Sequence, residues 1–300
     1  MLIDTHCHLD ATEYEHLNPA PLAGETLTAF SAALQVAHAA AAAGVGLIII
    51  PAVQAHDFSR VAQLAQWVSE NTPVACGYTL GIHPLYTLQA TPTDLERLKL
   101  AITQALSDPY FLGVGEIGLD LFVRKLPLAQ QQRYYEAQLR LAADFSLPVL
   151  LHVRRAQDLI LKALRRYRVK GIAHAFNGSE QQAQQFIALG FKLGIGGAMT
   201  YPRALQIRRL ATQLPLESLV LETDAPDIPP AWLGQPSPDP ATGIRQSLKS
   251  LNTPAELFGI AACLAELRQL SVSELIQQTA QNTYQVLPRV PLLLQSLGRA

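Results

Sequence analysis

The sequence predicts an α/β fold, a TIM (β/α)8 barrel with extra C-terminal helices. Short β-branched or apolar runs alternate with longer segments of helical period along the whole chain, and the strands number eight. The length of 300 residues suits one barrel domain. Apolar residues make up 49% of the chain and charged residues 16%, which is enough to bury a large core. A doubly wound open sheet is the alternative.

The predicted strands are short, and each ends where the pattern changes to turn residues or to helical period. They cover residues 2–8, 47–53, 74–81, 111–116, 149–152, 171–175, 191–195 and 219–222. The helices between them cover residues 30–43, 57–70, 94–106, 128–145, 157–167, 180–189 and 204–214. Gly44 stops the first helix, and Pro51 marks the end of the second strand.

Two more helices, residues 255–270 and 272–284, follow the last strand, and a frayed tail is expected after them. One barrel domain is therefore predicted for residues 1–288, with residues 289–300 as the tail. Two loops, residues 9–28 and 226–254, are long for a compact barrel. Both follow strands, so both belong to the face where barrel active sites lie.

Composition narrows the class of protein. The formal net charge is −1, with 23 basic and 24 acidic residues, so any binding of a polyanion must be local. Cys7, Cys76 and Cys263 form no CxxC pair, which indicates free thiols in a reducing compartment. The first residues lack the pattern of a signal peptide, and the apolar stretches fall short of the ~20 residues of a membrane span. We expect a cytoplasmic protein with no membrane partner and no obligate protein partner.

The opening segment "MLIDTHCHLD" places two imidazoles two residues apart. Alternate side chains of a strand share a face, so His6 and His8 share one face and Cys7 points away from them. In a barrel the shared face is the interior, and the last inward residues of a strand lie at the catalytic mouth. Metal ligands are one interpretation of the pair, and hydrogen-bonded core histidines are the other.

Other predicted strands also end in residue types that bind metals: Glu116, His152, His174 and Asp224. Convergence of these residues with His6 and His8 on five strand ends is more than chance supplies, so we predict a metal site. Imidazole nitrogen with carboxylate oxygen suits Zn, Mn, Fe or Co, and also Mg where waters are retained. One open site does not take so many protein ligands, which favours two divalent ions bridged by Glu116.

As an ordered set, the motifs of the chain resemble the TatD family of metal-dependent hydrolases, in the amidohydrolase superfamily. The resemblance runs from Ile3 to about Leu287 and rests on "DTHCHLD", "GIHP", "GEIGLDL", "LPVLLHVRRA", "HAFNGS", "GIGGAMTYPRA" and "LVLETDAPD". Two segments, "VGEIGLDLF" and "GGAMTYPRA", are most similar to the YjjV-type branch, whose members are mostly called deoxyribonucleases. The six ligand positions all match the family pattern.

The resemblance implies two groups of metal ligands in the barrel: His6, His8, Glu116 and Asp224 around one ion, and Glu116, His152 and His174 around the other. Similar family members act as magnesium-dependent nucleases on DNA ends, and some have broader phosphoesterase activity. The chain departs from the pattern in its longer first loop, in Asn177 of "HAFNGS", and in lacking an Arg before Asn252. These departures concern the choice of substrate and not the metal chemistry.

The predicted reaction is hydrolysis of a phosphodiester, with DNA or another phosphodiester as the expected substrate. Two divalent ions carry more positive charge than Glu116, Asp224 and a bridging hydroxide carry negative charge, which favours phosphate. We expect that hydroxide to attack phosphorus and Asp224 to take and pass on its proton. Hydrolysis of a small amide, ester or lactone is the alternative reaction. A metal-dependent binding module is the non-enzymatic alternative, although an open mouth argues against a purely structural site.

Three further residues are predicted to contact substrate. Arg154, two residues after His152, can bind phosphate bidentately, and a surface ion pair is its alternative role. His83, in "GIHPLY", touches phosphate or orients water, or else makes a structural hydrogen bond. Tyr201 falls in a mouth loop, where stacking on a base and packing under the loop are equally expected.

Overall fold

The computed structural model describes residues 1–17, 30–234 and 251–299. Eight parallel strands form one sheet, and each strand is hydrogen-bonded to the next along the chain. They are β1 Leu2–Asp4, β2 Val45–Pro51, β3 Ala75–Leu80, β4 Phe111–Asp120, β5 Val149–Arg154, β6 Gly171–Ala173, β7 Lys192–Ile195 and β8 Leu219–Leu221. Residues 18–28 of the first long predicted loop and residues 235–250 of the second lie outside the described residues.

Backbone hydrogen bonds join the last strand to the first. The N–H of Thr5 donates to the carbonyl of Leu221 at 3.0 Å, and the N–H of His8 donates to the carbonyl of Ala225 at 2.8 Å. A parallel bridge also pairs Cys7 with Ala225. The predicted barrel is therefore confirmed, and the open doubly wound sheet is wrong.

Within the described residues, seven helices alternate with the strands: α1 Ser31–Ala42, α2 Phe58–Asn71, α3 Pro92–Ala105, α4 Leu128–Asp144, α5 Gln157–Leu164, α6 Glu180–Ala188 and α7 Leu205–Gln213. The predicted helix bounds agree with these to within a few residues. The largest differences among the strands are in β1, which ends at Asp4, four residues before the predicted end at His8, and in β4, which continues to Asp120, four residues past the predicted end at Glu116. The structure has no helix in its described residues that is long and apolar enough to cross a membrane.

Strand alternation divides the apolar residues into two layers. In β2, Leu47 and Ile49 join the cluster inside the barrel, whereas Ile48 and Ile50 join the cluster between strands and helices. All four side chains are fully buried. This explains why β2 is apolar at nearly every position, as parallel strands covered on both faces usually are. The inward positions near the carboxyl ends of the strands carry the polar residues described below.

Three helices follow β8: α8 Leu257–Arg268, α9 Val272–Val286 and α10 Arg289–Ser296. The expected frayed tail is wrong for residues 289–296, because they form α10. Val290, Leu293 and Leu294 are buried in the same apolar cluster as the inward residues of the strands. Burial of each such side chain contributes about 1.5–3 kcal/mol, which holds this last helix against the barrel.

Candidate metal centre

The segment that directly follows β1 supplies two histidines to the barrel interior. His6 is fully buried, and His8 lies beside it with its side chain 23% exposed. Cys7 points the other way, into the apolar layer between strands and helices, where its thiol contacts the carbonyl of Ala225 at 3.7 Å. The side-chain alternation predicted from "HCH" is present in the structure.

Glu116 lies at the centre of the histidines and is 1% exposed. Its Oε2 is 3.2 Å from His6 Nε2 and 3.5 Å from His8 Nε2. Its Oε1 is 2.9 Å from His152 Nδ1 and 2.8 Å from His174 Nε2. Burial would raise the pKa of Glu116, but the surrounding histidines hold it well below its usual value. Each oxygen of this carboxylate therefore faces a different pair of imidazoles.

Asp224 follows β8 and faces the same space. Its Oδ1 lies 3.6 Å from His6 Nε2, 3.8 Å from His8 Nε2 and 3.9 Å from His174 Nδ1. Burial raises the pKa of Asp224, although His174 opposes the shift. Burial likewise opposes protonation of His174, but Glu116 and Asp224 raise its pKa to about 10. Without a cation, these groups stabilise one another as ion pairs.

The donor set fits divalent metal. Two ligand atoms held about 2.1 Å from one ion, at 90–110°, lie roughly 3.0–3.4 Å apart, close to the separations around Glu116. Three groups of side chains place one ligand atom each within 4.8 Å of one another: His6, His8 and Glu116; His6, His174 and Asp224; His83, Glu116 and His152. Both nitrogens of His6, Oε2 of Glu116 and Nδ1 of His174 are buried without a hydrogen-bond partner. An unsatisfied buried group costs about 1–3 kcal/mol, which a bound cation would remove.

His83 contacts Glu116 directly, which the sequence did not predict. Its Nε2 is 3.2 Å from Glu116 Oε1, while its Nδ1 accepts a hydrogen bond from the N–H of Leu85 at 3.1 Å. Burial lowers the pKa of His83 to about 4, so the ring is neutral at neutral pH. The structural hydrogen bond that the sequence offered as the alternative is present, and the ring also faces the centre.

Asp120 is a residue of the centre that the sequence analysis did not single out. Its Oδ2 is 3.1 Å from His152 Nε2, and its Oδ1 accepts the N–H groups of Phe122 and Val123. Burial would raise the pKa of Asp120, but the hydrogen bond from His152 and the two backbone bonds lower it to about 2. Asp120 thus turns His152 so that Nδ1 faces Glu116. The spacing of four residues from Glu116 on one strand was the available signal.

Asp4 is the second missed residue, and it ties β1 to the segment after β8. Its two carboxylate oxygens accept the N–H of Thr223 at 3.0 Å and the hydroxyl of Thr223 at 2.6 Å. Oδ1 also accepts the N–H of His6 at 3.3 Å. Because Asp4 binds both the backbone of His6 and Thr223, the neighbour of Asp224, this network fixes the backbone that carries His6 and Asp224.

The centre opens into a cleft of about 1010 Å³. Arg154 lines it with its side chain 51% exposed, 3.9 Å from Asp120 Oδ2. Tyr201 is not among the described residues that line the cleft, because its hydroxyl turns to the carbonyl of Pro229 at 3.0 Å. This hydrogen bond is what packing under the loop would give, and substrate contact by Tyr201 stays a prediction.

The opposite orientations of His6 and Cys7 give a testable prediction. Cys7→Ser should leave metal content and turnover near normal, because the serine hydroxyl can keep the bond to the carbonyl of Ala225. His6→Ala should weaken metal binding by at least about tenfold to a hundredfold, the range known for groups that only support a ligand. Elemental analysis and steady-state kinetics on both variants measure this. Equal metal loss in the two variants would show that strand alternation does not separate their roles.

The barrel and its centre of imidazoles and carboxylates define a metal-dependent hydrolase. Residues 3–288 match the family model described as "TatD related DNase", so the chain belongs to that family.

The match to known relatives covers almost the whole chain. It is 39% identical over 285 residues to the uncharacterized metal-dependent hydrolase YjjV of Escherichia coli K12, covering 94% of this chain and 96% of that protein. It is 33% identical over 253 residues to the 3'-5' ssDNA/RNA exonuclease TatD of Klebsiella pneumoniae, covering 83% and 89%. The crystal structure of the E. coli YjjV protein superimposes with a TM-score of 0.77 at 37% identity, covering 96% of this chain and 98% of that one.

Proposed function

We propose that the protein is a two-metal phosphodiesterase that hydrolyses nucleic-acid strands, with DNA as the expected substrate. The observation that carries this proposal is the position of Glu116, whose two oxygens face separate pairs of histidines at 2.8–3.5 Å. A carboxylate placed in this way can bridge two divalent ions, and paired ions suit in-line displacement at phosphorus.

The proposed ligands follow from these distances. His6, His8 and Asp224 lie on the Oε2 side of Glu116, and His152 and His174 lie on the Oε1 side, where His83 also approaches. Divalent ions held there would act as Lewis acids toward the phosphoryl oxygens and would lower the pKa of bound water. The mixture of nitrogen and oxygen donors suits Zn or Mn, and Mg if it keeps waters.

Asp224 is the proposed proton carrier. Its carboxylate lies at the open side of the centre, and burial raises its pKa, which makes it a stronger base than an exposed aspartate. Asp224 would accept the proton of the attacking water and return it to the leaving oxygen. Asp120 would hold His152 in one orientation throughout, because their hydrogen bond fixes the ring.

Two observations favour nucleic acid as the substrate class. The Klebsiella relative is named as an exonuclease on single-stranded DNA and RNA, and the matching family is described as DNases. In the cleft of about 1010 Å³, Arg154 lies beside the centre, where its guanidinium group can bind phosphate. Arginine gives planar, paired hydrogen bonds that a neutral substrate cannot use.

Metal removal and restoration test this function. Protein freed of metal by a chelator should lose hydrolysis of end-labelled single-stranded DNA, and Mg, Mn or Zn should restore it. A panel of amides, esters and lactones run with the same preparations tests the alternative reaction. Turnover of that panel without any cleavage of DNA would replace the proposed substrate class, and full DNase activity in protein shown to be metal-free would contradict the mechanism.

Arg154→Ala should reduce phosphodiester hydrolysis without loss of metal, because the side chain is proposed to contact the substrate and not the ions. A charged hydrogen bond to phosphate is worth about 1.5–3 kcal/mol, so kcat/KM should fall about tenfold to a hundredfold. Arg154→Lys should recover only part, because lysine keeps the charge but not the planar fork. Arg140→Ala, an exposed position on α4, is the charge-matched control. Unchanged kcat/KM at full metal occupancy would show that Arg154 does not contact the substrate.

A further inference from the structure

We propose that Arg155 and Phe122, together with Arg154, form a second phosphate subsite for the nucleotide next to the scissile phosphate. This inference rests on the proposed function and specifies its substrate: a strand with at least two phosphodiesters is preferred over a single phosphodiester. Arg154 keeps its contact with the scissile phosphate, and Arg155 binds the neighbouring phosphate.

The subsite is a stack of two guanidinium groups on one aromatic ring. The guanidinium carbon of Arg154 lies 4.0 Å from the ring centroid of Phe122, and that of Arg155 lies 4.8 Å from the same centroid. Phe122 is 47% exposed although it is a large apolar side chain. All three residues line the cleft. A guanidinium stacked on a ring keeps its N–H donors in its own plane, so they stay free to bind an anion.

The backbone at Arg155 brings both arginines to this ring. Neighbouring side chains of a strand normally point to opposite faces, which would send Arg155 away from Arg154. Arg155 instead has a φ of 56°, in the left-handed region that non-glycine residues seldom adopt. The turn directly after β5 therefore places two consecutive cations at the mouth of the cleft, and such a conformation persists only where the surrounding structure holds it.

The neighbouring charges leave Arg155 open to a ligand. Asp120 lies 3.9 Å from Arg154 and accepts hydrogen bonds from His152 and two backbone amides. Its carboxylate oxygens are therefore occupied by partners other than Arg155. Asp158 accepts a hydrogen bond from Gln182. In the part of the chain that the structure describes, the side chain of Arg155 forms no ion pair and no hydrogen bond, and its guanidinium group lies over the ring of Phe122.

The order of residues along the strand sets the distance between the two phosphates. His152 belongs to the metal centre, Arg154 ends β5, and Arg155 follows it outward. A strand advances about 3.3 Å per residue, so the backbone of Arg154 lies roughly 7 Å beyond that of His152. The turn at Arg155 places the second guanidinium beside the first, against the same ring. The subsite therefore favours the phosphate adjacent to the scissile one. The ring of Phe122 holds the two arginines in place and is not proposed to stack on a base.

Substrates with one or two phosphates test the subsite. The metal-loaded protein should hydrolyse the trinucleotide TpTpT about tenfold more efficiently than the dinucleotide TpT, because only the trinucleotide reaches Arg155. Arg155→Ala should bring this ratio of kcat/KM close to one and leave TpT and bis(p-nitrophenyl) phosphate unaffected. Arg155→Lys should restore part of the ratio, and Phe122→Leu should lower it by loosening both arginines. Arg140→Ala should keep the wild-type ratio.

Binding without turnover gives a second readout. With chelator present, a fluorescein-labelled hexathymidylate should bind Arg155→Ala about tenfold more weakly than wild type. The slope of log Kd against log salt concentration should fall by about 0.7, the value for one lost phosphate contact on a single strand.

The two proposals fail in different ways. An unchanged TpTpT to TpT ratio in Arg155→Ala, with an unchanged salt slope, would overturn the subsite and leave the phosphodiesterase standing. A wild-type protein that hydrolyses none of the three phosphodiesters would overturn the proposed function and the subsite with it.

Discussion

Glu116→Gln is expected to abolish most of the activity and lower the metal content of the protein. The amide keeps the size of the side chain but removes the negative charge that both groups of histidines share. A neutral amide is a poor bridge between two cations, so both proposed ions should bind more weakly. We expect kcat/KM to fall by on the order of a thousandfold, at the upper end for loss of a single electrostatic contact in a catalytic site.

Metals per chain and steady-state kinetics measure this result together. Glu96→Gln is the matched control, because it makes the same chemical change at an exposed position on α3. It should retain full metal content and activity. A Glu116→Gln protein with two metals per chain and normal kcat would show that this carboxylate bridges nothing.

Asp224→Asn should lower kcat by about a hundredfold to ten thousandfold, the range for loss of a group that transfers protons. The variant keeps His6, His8 and Glu116, whose contacts are shorter than those of Asp224, so it should retain more metal than Glu116→Gln. KM should change little, because Asp224 is proposed to act on the proton and not to hold the phosphate.

The control for Asp224→Asn is Asp227→Asn, an exposed carboxylate in the same loop that also lines the cleft. Its kcat should stay within a few-fold of wild type. The pH dependence of kcat separates proton transfer from a purely structural role: the acidic limb due to Asp224 should disappear in Asp224→Asn. A normal kcat in Asp224→Asn would show that another group carries the proton.

The sequence predicted the six converging side chains because strand alternation and strand ends are local properties. The "HCH" segment determines which side chains face inward, and the polar residues after each apolar run mark the mouth of the barrel. Asp120 was missed because β4 extends four residues beyond Glu116, and its pairing with β5 shifts register between Val114 and Ile117. Such a shift depends on the neighbouring strand and leaves no mark in composition.

Other differences have the same origin in tertiary contacts. The apolar positions Val290, Leu293 and Leu294 have helical spacing, but the segment is short, and its stability comes from the barrel residues that it covers. Tyr201 lies in a mouth loop as predicted, yet its hydroxyl finds a backbone carbonyl in another loop. A partner so distant in sequence cannot be identified from the residues around either one.

The junction of β1 with β8 makes metal binding and barrel closure one linked equilibrium. His6 and His8 come from the start of the chain, and Asp224 comes from a segment beyond the last strand, joined to them through Asp4 and Thr223. An ion held between these residues would bind only the closed barrel, so it would add RT ln(1 + [M]/Kd) to the free energy of unfolding. The same cations that are proposed to support hydrolysis would then also stabilise the contact between the first and the last strand of the barrel.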